Sequence, residues 1–253
     1  MSKVAEPLSL PRLPASLAVP GVKAFTTLRG QGRSVGPYAG LNVGAHVGDK
    51  PSSVAANRQY LYSALPDKTK PVWLEQVHGT RVVAAHAPAS LIADGAWTDR
   101  TGVVCAVMTA DCLPVVFAAA DASCVAVAHA GWRGLAAGIL ASTVTALPVP
   151  AQRLHVWLGP AIGPAAFEVG VEVQAAFIDA LGASAAACFR PVEGGDKWLC
   201  DLYALARLSL LQLGCARVTG GEYCTLTEDN DFYSYRRDGI TGRMATLVYL
   251  QPN

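Results

Sequence analysis

Three short stretches each close an apolar run with a side chain able to ligate a soft metal ion. WLEQVHG (73–79) puts His78 before a glycine, TADCLP (109–114) holds Cys112 between two apolar segments, and VAVAHAGWRG (125–134) delivers His129 just ahead of a glycine turn. Zinc takes such nitrogen and sulfur donors, and a catalytic zinc keeps three protein ligands with a fourth position open to water. A lone histidine at a strand end is more often a hydrogen-bonded structural residue, and a lone cysteine more often core. Three of them together, each beside Gly or Pro turn chemistry, make a site as good a reading as packing. The spacing leaves two chemistries open. One is a zinc centre on His78, Cys112 and His129; the other is a thiolate nucleophile activated by a neighbouring imidazole.

Other polar groups cluster in loops. Arg29, Arg58, Arg133, Arg236 and Arg237 supply planar forks suited to phosphate or carboxylate, although each alone reads as a surface ion pair. Ser34 and Asn42 lie in a Gly-rich segment, 28–49, too long for a plain hairpin and suited to wrapping a ligand; turn capping is the alternative for each. That segment is neither GxGxxG after a strand nor GxxxxGK[ST], so no dinucleotide or P-loop reading follows. Glu75 and Asp111, beside the ligands, could carry protons or brace a ligand histidine.

These groups need a scaffold. Strand-like runs fall at 72–74, 82–85, 103–108, 113–118, 124–128, 154–158 and 245–250. Helices are predicted at 52–65 with a serine cap, at 135–147, at 171–181 stopped by Gly182, and at 201–213 with Asp201 as cap and Gly214 as stop. Strands and helices without regular alternation predict an α/β or α+β fold with a mixed sheet flanked by helices. No repeat or linker divides residues 1–253, which read as one domain after a proline-broken lead-in over 1–20.

Composition removes several classes. Hydrophobic residues make up 52% of the 253 and charged residues 15%, and the net charge of +1 offers no basic stripe for nucleic acid. No apolar run reaches about 18 residues, so no membrane span is expected. Prolines 7, 11, 14 and 20 break the apolar core a signal peptide would need. Seven cysteines without a CxxC pair then read as reduced thiols, which predicts a cytoplasmic location.

The longer motifs are familiar. TTLRGQGRSVGPYAGLNVGAHVGD (26–49), LEQVHGTRV (74–82), MTADCLPV (108–115), AHAGWRG (128–134), GPAIGPAAFEVG (159–170) and FYSYRRDGITGR (232–243) resemble, in order and spacing, the bacterial YfiH-type family. This is the "laccase domain" or polyphenol oxidase-like family, related to the human protein FAMIN, and the resemblance runs from about residue 25 to 250. It implies an unusual α/β topology, shared distantly with a toxin catalytic domain of the Cys–His type. It implies zinc on His78, Cys112 and His129, which would also be the catalytic residues. The implied activity is phosphorolysis of adenosine, inosine and methylthioadenosine, together with adenosine deamination, so a purine nucleoside and phosphate are the expected partners. The family's loop arginine, serine, asparagine and helix arginine fall on Arg29, Ser34, Asn42 and Arg58. With Gln76, Asp111 and Arg133 they form the expected substrate-binding set. One departure is Gln31-Gly32 where the family usually has Gly-Gly, which bears on loop shape and not on the metal site.

The laccase label meets a simple obstacle. The chain has five histidines, His46, His78, His86, His129 and His155, too few for a type 1 copper site plus a trinuclear cluster. Copper is instead a possible substitute in the zinc site, since copper(II) outcompetes zinc at most such donors. The H-x-E…P-C-x-x-C deaminase signature is also absent. Two rivals stay in view. In one, Cys112 is the nucleophile of a Cys–His amide hydrolase that edits a peptidoglycan precursor peptide. In the other, the chain binds a purine or a metal without turnover.

Overall fold

The computed structural model describes residues 10–252; the first nine residues of the predicted lead-in lie outside the described residues. The strands are β1 (Arg12–Pro14), β2 (Val22–Thr27), β3 (Val82–Ala84), β4 (Gly95–Thr98), β5 (Val104–Thr109), β6 (Leu113–Ala119), β7 (Val125–Ala130), β8 (Leu154–Leu158), β9 (Glu168–Val169), β10 (Phe189–Pro191), β11 (Trp198–Cys200), β12 (Arg217–Gly220) and β13 (Met244–Leu250). The α-helices are α1 (Pro51–Ser63), α2 (Trp132–Ala137), α3 (Ile139–Ala146), α4 (Val171–Leu181), α5 (Leu202–Gln212) and the single turn α6 (Tyr235–Asp238).

A six-stranded mixed sheet runs β12-β8-β6-β7-β4-β3, with parallel pairs only at its two edges. A four-stranded antiparallel sheet runs β1-β2-β13-β5, which puts the C-terminal strand β13 in its interior. A small sheet, β10-β11-β9, is antiparallel. The two larger sheets stack: Cys105 and Val107 of β5, Val116 and Ala118 of β6, Val125 and Val127 of β7 and Val248 of β13 share one core. The opposite face of the six-stranded sheet, carrying Leu113, Val115 and Phe117, packs on α2 to α5. The outer face of the four-stranded sheet, with Phe25, Ala106 and Leu247, meets Leu61 and Tyr62 of α1. Strands between two such layers are covered on both faces. Every residue of β5, β6, β7 and β13 is accordingly buried, and these segments read as unbroken apolar runs rather than alternating ones.

The mixed six-stranded sheet flanked by helices agrees with the fold class read from sequence. The helix ends at Leu181 with Gly182 past it, and Asp201 caps α5 by accepting the Ala204 N–H at 2.9 Å. Four expectations need correction. The helix expected over 52–65 starts at Pro51 and no serine caps it; proline fits the first turn, where an N–H has no intrahelical partner. The single helix expected over 135–147 is α2 and α3, parted at Gly138, whose φ of 96° closes α2 with a left-handed residue. Residues 72–74 form no strand; only Val72 bridges to Cys105. Finally β7 does not stop at 128 but runs through His129 to Ala130.

Candidate metal centre and substrate cleft

Strand direction gathers the reactive residues. Met244 pairs with Thr109, Leu113 with Ala130 and Gly95 with Ala128, so the end of β5, the start of β6, the end of β7 and the starts of β4 and β13 all lie at one end of the stacked sheets. His129 shares the inter-sheet face of β7 with Val125 and Val127, because side chains two apart point the same way. Cys112 follows Asp111, whose φ of 89° turns the chain sharply into β6. His78 sits in a loop with φ 59°, also in the left-handed region.

The three donors converge. One ligand atom each from His78, Cys112 and His129 lie within 4.8 Å of one another, and Cys112 Sγ is 3.9 Å from His78 Nε2. A tetrahedral zinc with bonds of about 2.0–2.3 Å holds its donors roughly 3.3–3.8 Å apart, so a small inward movement completes the set. Donor softness, spacing and an open side therefore fit a zinc-type ion.

Asp94 holds this arrangement, and sequence reading passed over it. Its carboxylate, fully buried, accepts the His129 Nδ1–H at 2.8 Å and leaves His129 Nε2 for the cluster. It also accepts the backbone N–H groups of Val77, His78 and Gly79 at 3.2, 2.9 and 2.7 Å. One anion thus orients one ligand and braces the unfavourable turn that carries another. Burial alone would push the Asp94 carboxyl up; the His129 hydrogen bond and the backbone donors outweigh it and hold the group below the ordinary carboxylate range. No local signal marks it in the sequence, because β4, the strand it precedes, does not read as one there either.

The GWRG motif is close packing. A Cβ on Gly131 would lie 2.9 Å from Cys112 Sγ and 3.0 Å from the His78 ring, and one on Gly134 would lie 3.0 Å from the Gly79 carbonyl. Gly131→Ala is therefore expected to weaken divalent-ion affinity about tenfold or more, since crowding of this kind costs about 1–3 kcal/mol. Competition against a chromogenic chelator measures it; an unchanged affinity would show that the cluster yields freely.

The electrostatics favour a thiolate. Burial raises the Cys112 thiol, but the positive charge and hydrogen bond of His129 and the hydrogen bond from His78 bring it down to about 6. Burial likewise disfavours His129 imidazolium, yet the Cys112 thiolate and Asp94 bring it up to about 9. Both shifts hold for the metal-free centre, where protons occupy the place of the ion.

Two cavities meet at His78, Ala110, Cys112 and Tyr235. The larger, about 410 Å³, is lined further by His46, Gln76, Met108, Thr109, His129 and Arg243. The smaller, about 220 Å³, adds Trp132, Phe167, Leu202 and Ile162 together with Asp111, Arg133 and Arg236. Of the residues expected to bind substrate, Gln76 lines the first, its amide paired with both backbone groups of Met108 at 2.7 and 2.8 Å. Asp111 and Arg133 line the second. The Asp111 carboxylate is engaged by the Thr225 hydroxyl at 2.6 Å and the Arg236 N–H at 2.7 Å, so it braces the Cys112 turn. Arg58 stacks on Trp73 at 4.2 Å and borders a third recess next to the larger cavity.

Arg29, Ser34 and Asn42 line neither cavity at the cluster; they build the Gly-rich loop. Arg29 bonds the Asp229 carbonyl and lies over Tyr233. Ser34 and Asn42 both donate to Asp49, at 2.5 and 2.8 Å, and Asn42 Oδ1 accepts the N–H of Gly44 and of Arg243. His46 from this loop, Thr109 from the end of β5 and Arg243 just before β13 line the larger cavity, and nothing local in the sequence assigns them a role.

Stacked sheets between helices, with two imidazoles and a thiol converging where two cavities meet, define an α/β protein with a metal-competent cleft at one end of its strands. The chain belongs to the family described as multi-copper polyphenol oxidoreductase laccase, whose model matches residues 23–251. It is 50% identical over 232 residues to a protein of Escherichia coli named purine nucleoside phosphorylase YfiH, covering 91% of this chain and 94% of that one. A Neisseria meningitidis crystal structure, protein NMB0706, superposes with a TM-score of 0.89 at 45% identity over 95% of this chain and 99% of that chain. The crystal structure of YlmD from Geobacillus stearothermophilus gives 0.84 at 35% identity, over 92% and 93%. The YfiH resemblance read from the motifs is thus borne out. Among the described residues no helix is long and apolar enough to cross a membrane.

Proposed function

We propose that this protein is a zinc-dependent purine nucleoside phosphorylase acting on adenosine, inosine and methylthioadenosine, with adenosine deamination as a second activity of the same centre. The observation that carries the reading is the His78–Cys112–His129 set at the junction of two cavities of different character. The names of the relatives support it. The donor set would supply Lewis-acid polarisation when zinc is bound, and copper is a possible substitute there. The chain's own residues do the rest. Trp132 and Phe167 offer aromatic surface for a flat base, with Arg133 over the Trp132 ring at 4.4 Å and Arg236 over the Phe167 ring at 5.2 Å. Asp94 keeps His129 in one tautomer. Phosphorolysis breaks the N-glycosidic bond at the ribose carbon as phosphate attacks it, so the cleft must hold two ligands in line. Five histidines, and a single His/Cys cluster among the described residues, leave multicopper oxidation without a site.

The test is paired: count metal per chain, then incubate with adenosine with and without phosphate and follow products by chromatography. One zinc per chain, with adenine and ribose 1-phosphate formed only with phosphate, is the expected result. Inosine formed without phosphate would report the deaminase activity. Untouched adenosine in both arms overturns the purine reading.

The Asp94–His129–Cys112 alignment supports a second reading, a Cys–His amide hydrolase acting on a peptidoglycan precursor, because it also describes an activated thiolate. Chelation separates the two: it abolishes phosphorolysis but spares or raises thiol-dependent hydrolysis. A pH profile probes the thiolate itself. In chelator-treated protein, alkylation of Cys112 is expected to rise near pH 6, because the thiolate forms above its lowered value, whereas an ordinary thiol ionises near about 8.5. Added zinc should suppress the reaction at pH 7. A rise confined to pH 8–9 would mean that His129 does not polarise Cys112.

A further inference from the structure

The larger cavity contains an oddity. Thr109 is 2% exposed, lines that cavity, and its hydroxyl has no hydrogen-bond partner, the one such buried side-chain atom among the described residues. An unpaired buried hydroxyl is costly, and native chains keep few of them. Arg243 and His46 face the same cavity. Apart from the candidate ligand Cys112, no side chain that carries negative charge at neutral pH lines it. Arg243 gives its Nη1 to the carbonyls of Thr241 and Gly242, and no carboxylate pairs with it among the described residues. Burial, then the positive charges of Arg243 and Arg58, hold the His46 imidazole below its ordinary value, so at neutral pH Arg243 is the cavity's cation and His46 a neutral hydrogen-bonding group.

The placement of Arg243 is built. Its backbone N–H is held by Asn42 Oδ1 at 2.9 Å, Val43 donates to its carbonyl at 3.3 Å, and a Cβ on Gly44 would meet its side chain at 2.8 Å. A half-buried guanidinium without an acidic partner, beside a hydroxyl without any partner, is the complement of a phosphoryl oxyanion. The smaller cavity has Arg133 and Arg236 too, but it also holds the Asp111 carboxylate and the aromatic and aliphatic surface of Trp132, Phe167, Leu202 and Ile162, which suits the base.

We infer that the larger cavity is the phosphate subsite, in which Arg243, His46 and the Thr109 hydroxyl bind free inorganic phosphate across the His78–Cys112 divide from the purine. The inference rests on the phosphorolytic reading and assigns residues to its second substrate.

Thr109→Val keeps the shape and removes only the hydroxyl. In the zinc-loaded protein it is expected to raise the KM for phosphate, or the Kd for labelled phosphate in equilibrium dialysis, about tenfold or more. The KM for inosine should stay within about twofold, zinc content should not change, and the melting temperature should hold or rise, since an unpaired buried polar group has gone. Arg243→Gln should weaken phosphate further in the same assays. A merely structural Thr109 would lower the melting temperature and leave phosphate binding alone, which overturns the inference; so does an equal rise in both KM values. Failure of the phosphorolytic reading looks different, because the wild type would then form no phosphate-dependent product while dialysis still reports on the cavity. Inosine 5′-monophosphate distinguishes the source of the oxyanion. If it displaces labelled phosphate where inosine does not, the cavity serves a substrate-borne phosphoryl group, and the assignment to free phosphate fails.

Discussion

Asp94→Asn is expected to cost about 100-fold in metal affinity and about 3 kcal/mol or more of stability, the larger of these from a change that leaves shape intact. The carboxylate makes four bonds as an acceptor, to His129 Nδ1 and to three consecutive backbone N–H groups. An amide has one acceptor oxygen, so its NH₂ must face donors on one side. Either His129 loses its orienting partner or the turn carrying His78 loses its brace, and both outcomes separate the ligands. For a chain of this size the stability loss corresponds to a fall of roughly 6 °C or more in melting temperature. Its pH dependence has a defined sign. The folded carboxyl ionises below its unfolded value, so its stabilisation is complete above the ordinary carboxylate pKa and is lost as pH falls through the depressed one. The variant should therefore lose part of the wild-type acid slope between those two values. A zinc titration and melts across pH 2–6 check both parts. Wild-type affinity in the variant would assign Asp94 to packing alone.

His129→Ala is expected to remove stoichiometric metal and lower phosphate-dependent cleavage of adenosine by about three orders of magnitude. Loss of Lewis-acid stabilisation is worth several kcal/mol, and each 1.36 kcal/mol is tenfold in rate. The fold should survive, because His129 lies at the end of β7 where the cavity opens, and its removal leaves no unpaired charge except at Asp94, which keeps its three backbone donors. Metal analysis, far-UV circular dichroism and the phosphorolysis assay on one preparation settle it. Retained activity without metal would favour chemistry at Cys112 alone.

Much of this was legible in the chain. His78, Cys112 and His129 stood out because each ends an apolar run beside a turn-forming residue, a signal local to a few positions. The same locality found the caps at Asp201 and Gly182. What escaped depends on partners far along the chain. Asp94 looks like any acid of a turn-forming Asp-Gly pair until the fold brings 77–79 and 129 around it. The break at Gly138 was hidden because a glycine inside an Ala/Leu-rich run reads as tolerated rather than as a left-handed stop. The strand at 95–98 begins with a glycine, a residue depleted in strands. Ser34 and Asn42 match family positions, and their long-range partners are equally invisible locally: both donate to Asp49, and Asn42 accepts the Arg243 N–H.

The interior position of β13 bears on how the molecule is made. This strand is threaded between β2 and β5, pairing Leu250 with Val22 and Met244 with Thr109. During synthesis both neighbours leave the ribosome long before it and must wait with a gap between them. The stretch holding all three candidate ligands therefore emerges well before the sheet that backs the cleft can close. Pairing over such sequence separations is intrinsically slow and leaves sticky strand edges open meanwhile. The slow step in making the protein is thus expected to be the late insertion of residues 244–250 and not the gathering of His78, Cys112 and His129.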